Sequence, residues 1–479
     1  MKSVPFLFLV LVVVSTAVFA IQPPRYVQTA GKNRRRLLLS KNHKIGPEFR
    51  ISTQTTHDQS YPNVGTFDDG KFVVAWESFE QDGSETGVYG QRYNADGTKI
   101  GSEFRVNTYT AGKQHSPNIG TFSNGKFIVV WQSVGQDGSD SGVYGQRYNA
   151  DGTKLNSEFR VNTYTTDDQT LPCVGTFSNG KFVVAWDSFG QDGKEYGVYG
   201  QLYNADGTKL NSEFRVNTYT AGKQHNSNVE SFSDGKFIVV WQSFGQDDSN
   251  YGVYGQRYNA DGTKLNSEFR INTYTTGVQW LPSVGTFSDG KFVVAWDRFG
   301  QDGSESGVYG QMYNADGTRL NSEFLIHEYG TDRRPNPNIG TFDDGKFIIA
   351  WSGLCKNDNV GICGQQYEAN GTKFGSEFLV NTHISNKQEL PSVGTLSDGK
   401  FVVVWSSNAQ DDSGDGVYGQ LFNFGIPGKP TTPSTTSSPT PSSTIPSADA
   451  SVASCLPSDY FSLLGSFVVT GILALMGDM

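Results

Sequence analysis

Apolar and polar positions along this chain recur with a long, even period. Tryptophan stands at 76, 131, 186, 241, 296, 351 and 405, and only Trp280 falls outside that series. Each of the seven closes a continuous apolar run such as Lys291 to Trp296, the pattern of a strand covered on both faces. A shorter strand, Val284 to Phe287, precedes that run across a Ser288-Asp289-Gly290 turn. A third, Gly307 to Tyr313, follows it and turns at Asn314-Ala315-Asp316-Gly317 into a fourth, from Thr318 to about Ile326. Asp-Gly and Asn-x-x-Gly steps supply the left-handed residues that tight hairpins need. Each unit therefore predicts a four-stranded antiparallel sheet.

Repeats of this length with four strands each predict a β-propeller, in which every sheet buries its faces against its neighbours. The ends of the array carry the argument further. Pro47 to Ser52 matches a fourth strand yet precedes the first unit, whereas the seventh unit stops after its third strand, at Phe422 or Phe424. If the spare strand pairs with the seventh sheet, every blade has four strands and two exposed edges disappear. An open solenoid has no use for that permutation. The expected fold is all-β: a seven-bladed β-propeller over residues 44–424, four antiparallel strands per blade, closed by the N-terminal strand on the last blade. Burial of each repeated tryptophan contributes roughly 2–3 kcal/mol, which makes these residues core.

Both ends of the chain read as targeting signals. Lys2, an apolar run from Phe6 to Val14 and the step Val18, Phe19, Ala20 form a signal peptide over residues 1–20. A basic leader, 21–43, contains Lys32, Arg34, Arg35 and Arg36. Of the 21 residues from Pro427 to Ser447, 6 are Pro and 12 are Ser or Thr, which predicts an extended, O-glycosylated stalk over 425–448. Beyond it, 449–479 fits a lipid-anchor signal: small residues at Asp449, Ala450 and Ser451, a polar spacer, then an apolar tail from Tyr460 to Met476. Asp449 or Ser447 would be the attachment residue. The expected location is the cell surface on a GPI lipid, with a type I membrane protein as the alternative.

Lys plus Arg number 38 against 48 acidic residues, a formal charge of −10, which argues against a nucleic-acid partner. Cys355 and Cys363 flank one loop of unit 6, and the exported context favours a disulfide between them. Cys173 is then a free, buried thiol, and Cys455 lies beyond the cleavage site. Asn370-Gly371-Thr372 is the N-glycosylation sequon, on a turn.

The strings FVVVW or FVVAW, GQDGS, GVYGQRY, NADGT and EFRVNTYT resemble a tandem repeat of large exported bacterial proteins, including adhesin-like and haemolysin-type calcium-binding chains. The resemblance covers all seven units. It implies surface exposure and adhesion, but the glycine-rich calcium nonapeptide that accompanies the repeat in many of those chains is missing here.

Chemistry is expected on the face that carries the longer loops. The loop after each tryptophan strand offers Asp82, Asp137, Asp192, Asp247, Asp302 and Asp411, with Asp412 and Asp415 added in unit 7. Such oxygen-rich loops are possible calcium sites, set against plain Asp-Gly turn chemistry. The loops between blades repeat Gln59, Gln114, Gln169, Gln224, Gln279 and Gln388, with Arg334 in unit 6. These are the ligand-binding candidates of the loop face, set against buried amides that pair loop backbone. Trp280 and Tyr61 extend from the same loops and suit sugar stacking. The histidines, at 43, 57, 115, 225, 327 and 383, show no metal spacing, and no nucleophile with a base emerges. Glu230 is the odd acid: it replaces a repeated glycine on the strand nearest the axis, where a water-filled channel is expected.

The sequence thus points to a non-enzymatic, monomeric binding propeller that presents its loop face to an extracellular glycan or protein. The alternatives are a glycan-active propeller hydrolase or lyase, for which Glu230 would be the test residue, and a structural coat protein.

Overall fold

The computed structural model describes residues 44–424 apart from 194, 249, 301–306, 329–334 and 356–358, all within one compact unit, His43–Met479. Seven four-stranded antiparallel sheets follow one another along the chain. Their innermost strands are Gln59–Thr66, Gln114–Thr121, Gln169–Thr176, Gln224–Ser231, Val278–Thr286, Asn338–Thr341 and Gln388–Leu396. Each inner strand packs against the next, and the last packs against the first. The molecule is therefore a closed seven-bladed propeller. Blades are numbered here in chain order, so that blade 7 is the one the N-terminal strand completes.

Closure uses the displaced strand, as the permuted ends predict. Lys44–Arg50 runs antiparallel to Asp415–Asn423, with Lys44 opposite Phe422 and Arg50 opposite Tyr418. Ile51 N–H continues the ladder to Val417 O at 2.8 Å. Arg50 ion-pairs with Asp411 at 2.8 Å, and Glu48 accepts from Thr382 N–H at 2.6 Å. Residues 44–51 are thus part of the ring.

The core lies between blades. All seven repeated tryptophans are 0 % exposed, and each apolar cluster joins residues of two neighbouring sheets. The cluster around Trp76, for instance, combines Val64 and Phe72 of blade 1 with Val402, Val404 and Leu421 of blade 7. Inside blades 1 to 6 the phenylalanine at the start of the tryptophan strand stacks on the tyrosine that ends the third, as with Phe72 and Tyr93 at 4.7 Å and Phe127 and Tyr148 at 4.5 Å, and in blade 7 Phe401 stacks on Phe422 at 4.9 Å. Offset stacking adds to the area buried by both rings.

Near the axis the blades are linked by two sets of side-chain bonds. Asn63 Oδ1 accepts from Ile119 N–H at 2.8 Å, Asn118 from Val174 at 2.9 Å, and Ser392 Oγ accepts from Val64 N–H at 3.2 Å across the closure. One turn lower, Thr121 Oγ1 donates to Thr66 O at 2.7 Å and Thr176 Oγ1 donates to Thr121 O at 2.6 Å, a chain continued by Thr286 on Ser231 O. The blades approach so closely here that a Cβ on Gly120 would lie 2.6 Å from the Thr176 methyl. That spacing explains the repeated glycine.

Candidate active site at the axial mouth

Outside blade 6, the inner strands differ from the sequence expectation at their upper ends, where each begins several residues earlier and contains a register shift. Between Ser60 and Asn63, His115 and Asn118, and Thr170 and Cys173 the pairing slips. In these bulges Tyr61, Ser116, Leu171, Asn226, Leu281 and Leu390 all take positive φ, from 51° to 58°. Left-handed backbone is unfavourable for leucine and tyrosine, so something must hold it. At three of these residues what holds it is the side chain that follows the tryptophan of the preceding blade. Glu77 accepts from Ser116 N–H at 3.3 Å, Asp187 from Asn226 N–H at 2.7 Å, and Gln242 from Leu281 N–H at 2.9 Å.

This position reads Glu77, Gln132, Asp187, Gln242, Asp297, Ser352 and Ser406 around the ring. Acids occupy blades 1, 3 and 5. The sequence reading missed them, although the alternation was visible as FVVAWD in units 3 and 5 against FIVVWQS in units 2 and 4. Facing them on the inner strands are Ser60, His115, Thr170, His225, Trp280 and Glu389. Ser60 Oγ donates to Glu77 at 3.0 Å, Trp280 Nε1 donates to Asp297 at 2.6 Å, and His225 Nε2 lies 2.8 Å from Gln242 Nε2.

Asp187 is 1 % exposed. Burial pushes its carboxyl up to about 7, against the smaller opposing effect of hydrogen bonds from Asn226 N–H and from Ser227. His225 is moved the other way: burial and the nearby Lys223 lower it to about 3, so its ring is neutral at physiological pH. The mouth therefore contains a carboxyl able to hold its proton near neutrality beside an uncharged imidazole.

The residues singled out in the sequence sit elsewhere on the loop face. Gln59, Gln114, Gln169, Gln224, Gln279 and Gln388 are 0–2 % exposed. Gln114 donates to Ala111 O at 2.9 Å and Gly112 O at 3.2 Å and accepts from Asn107 at 2.9 Å, and Gln169 repeats the pattern. These amides fasten the interblade loop. Arg334 and Asp302 lie outside the described residues, as do the signal peptide, the basic leader, the stalk, Ser447, Asp449 and Cys455.

The aspartate loops do not assemble a cation cage. Arg50 sits on Asp411 at 2.8 Å and Arg270 is 3.8 Å from Asp247. Asp82 and Asp137 accept from the backbone N–H two residues on, as turn residues do. Asp412 takes φ of 66°, and Asp415 accepts from Asn408 at 2.8 Å. Among the described residues no three His, Cys, Asp or Glu side chains converge on a metal-sized site. A guanidinium lies against two of these carboxylates.

Glu230 lies on the innermost strand, opposite Ile238, and is 2 % exposed. Cys355 and Cys363 are disulfide-bonded, with Cα atoms 5.3 Å apart. Cys173 is free and buried, its Sγ 3.3 Å from Ser227 O. Asn370 is exposed on its turn. Among the described residues no helix is long and apolar enough to cross a membrane.

No protein-family model and no curated protein matches the chain. Solved structures do. A protein of unknown function from Dyadobacter fermentans is 12 % identical over 79 % of this chain and 98 % of its own, with a TM-score of 0.50. An α-L-arabinofuranosidase from Fusarium graminearum (12 %, TM-score 0.43) and an α-L-arabinanase from Penicillium chrysogenum (14 %, TM-score 0.44) cover the same shares. Identity this low speaks to the fold alone. Against the expectation of a non-enzymatic binding protein, the two of these neighbours whose activity is named are glycan-cleaving enzymes.

Proposed function

We propose that the propeller is a glycan-active hydrolase whose reaction centre is the axial mouth. The observation that supports this reading is the contrast between Asp187 and Gln242. Both stand after the tryptophan and both cap the left-handed residue of the next blade, Gln242 with a neutral amide. The cap therefore does not require an acid. A buried carboxyl that burial disfavours in its charged form, placed where an amide suffices, has the property of a general acid: it is protonated near pH 7 and can donate to a departing glycosidic oxygen. Glu77, which retains partial exposure, is the carboxylate that activates water. Asp187 gives its proton to the glycosidic oxygen as the bond from that oxygen to the anomeric carbon breaks, the oxygen of water bonds to that carbon in its place, and Glu77 takes the proton the water gives up.

The test is Asp187→Asn, which keeps an oxygen for the Asn226 N–H. On a panel of soluble polysaccharides the native chain should release reducing ends, and the variant should lose about 10²–10⁴-fold in turnover while melting at a temperature no lower than the native chain. Undiminished turnover in the variant, or none in the native chain on any glycan, would overturn the reading. We also place the ring outside the cell, on its stalk and lipid anchor. A phosphatidylinositol-specific phospholipase should then release it from cells, and retention with tail peptides from Tyr460 to Met476 would indicate a spanning helix instead.

A further inference from the structure

A second departure from sevenfold symmetry lies beside Asp187. The position that opens the third strand is Thr86 in blade 1, Ser141 in blade 2 and Asp415 in blade 7, but it is Tyr196 in blade 3 and Tyr251 in blade 4. Neither tyrosine is fully buried. Tyr196 packs edge-on against Phe189 at 5.1 Å and lies 6.4 Å from His225 with the rings inclined by 30°. Tyr251 meets His225 at 5.4 Å and Phe244 at 5.1 Å. Five rings thus run in a row across blades 3 and 4, ending at Phe244, which is 44 % exposed.

This row adjoins the proposed acid. Asn226, the residue after His225, is the one whose N–H binds Asp187. Polar groups border it, with Glu195 and Lys223 4.0 Å apart. Partly exposed aromatic faces bordered by a carboxylate, an ammonium and phenolic hydroxyls match the two-sided chemistry of a sugar, whose C–H face is apolar and whose rim is hydroxyl. The neutral state of His225 keeps that ring a flat, uncharged surface, and burial with Glu195 nearby raises the Tyr251 phenol so that it keeps its proton. Five rings in sequence offer more surface than one sugar covers.

We propose that Tyr196, His225, Tyr251 and Phe244 form a shelf on which a carbohydrate chain stacks on its way to Asp187, so that the substrate is a polysaccharide or long oligosaccharide rather than a single-sugar glycoside. The proposal rests on the hydrolytic reading only for where the chain leads. The shelf binds whether or not cleavage follows.

The experiment uses the whole protein carrying Asp187→Asn, titrated calorimetrically with soluble arabinan, xylan and mixed-linkage β-glucan and with their mono- and disaccharides. At least one polysaccharide should bind, with affinity rising with chain length. Adding Phe244→Ala or Tyr251→Ala should weaken binding about 10-fold each, a loss of about 1.4 kcal/mol, and Tyr251→Phe should restore much of it. Affinity unchanged from the Asp187→Asn parent in both alanine variants, or no binding by any probe, overturns the shelf. Shelf-dependent binding in a native chain that turns over none of these glycans supports the shelf and removes the hydrolase. Turnover abolished by Asp187→Asn with affinity indifferent to Phe244 and Tyr251 does the reverse.

Discussion

The lower and upper halves of the inner strands obey different rules. In the lower half the same bond recurs from blade to blade: a threonine hydroxyl donates to the carbonyl of the previous threonine, and a glycine leaves room for that threonine's methyl. Geometry favours glycine there wherever a Cβ would meet the threonine methyl of the next blade, and blade 4, which carries Glu230, is the exception. In the upper half one Cα position accommodates Glu77, Gln132, Asp187, Gln242, Asp297, Ser352 and Ser406. Where the side chain caps the next blade, an acid and an amide both serve, as Asp187 and Gln242 show. Where the fold leaves the choice open, variation between blades is evidence of chemistry, and it gathers at blades 3 and 4.

The largest expected effect comes from breaking the ring that both halves depend on. Deleting residues 44–54 removes the fourth strand of blade 7, its ladder to 415–423 and the Arg50 to Asp411 pair. The shortened chain should melt lower by roughly 10 °C or more, or not fold at all. Equal melting temperatures would show that the strand is an ornament and that the seventh blade is complete without it.

The upper half is sharpened by pH. The Asp187 carboxyl is raised by burial to about 7 in the folded chain and is near 3.9 unfolded. Its contribution to stability is therefore fully present below about pH 4 and is lost as pH rises through about 7, by up to about 4 kcal/mol. Asp187→Asn should abolish that loss, so the variant gains stability over the native chain between pH 4 and 8, as urea unfolding would reveal. Parallel pH profiles would mean that Asp187 is ionised in the fold, and the general-acid role would fall with it.

The lower half makes a smaller, paired prediction. Gly120→Ala would place its methyl 2.6 Å from Thr176 Cγ2 and should cost about 1–3 kcal/mol. Gly175→Ala meets nothing nearer than 3.4 Å, because the next blade offers Ser231, which lacks the methyl, and should be close to neutral. Similar costs at both sites would mean that blade spacing does not set the glycine rule. Smallest of all is calcium. Arginine lies against Asp247 and Asp411, so thermal melts in millimolar calcium and in chelator should coincide. A shift of several degrees would instead assign the aspartate loops a bound cation.

Most of the fold was legible in the sequence. Periodic tryptophans, Asp-Gly turns and a displaced strand are local signals, and they give blade number, strand order and closure because each unit can bury its faces only against a copy of itself. The cysteine pair followed from its position in one loop. The mouth was not legible. The repeated glutamines stood out because they recur, yet recurrence marked a backbone requirement, buried and bonded within the loop. The acids after the tryptophans did not stand out because they alternate with amides, and only packing shows that Glu77 and Asp187 each reach a left-handed residue of the next blade. Glu230 looked exposed from its place near the axis until neighbouring blades covered it. Sequence fixes which faces are apolar and where the chain turns, since these depend on neighbours along the backbone. Burial of a single carboxyl, and with it the proton it holds, depends on atoms some forty residues away, and that was decided only when the ring closed.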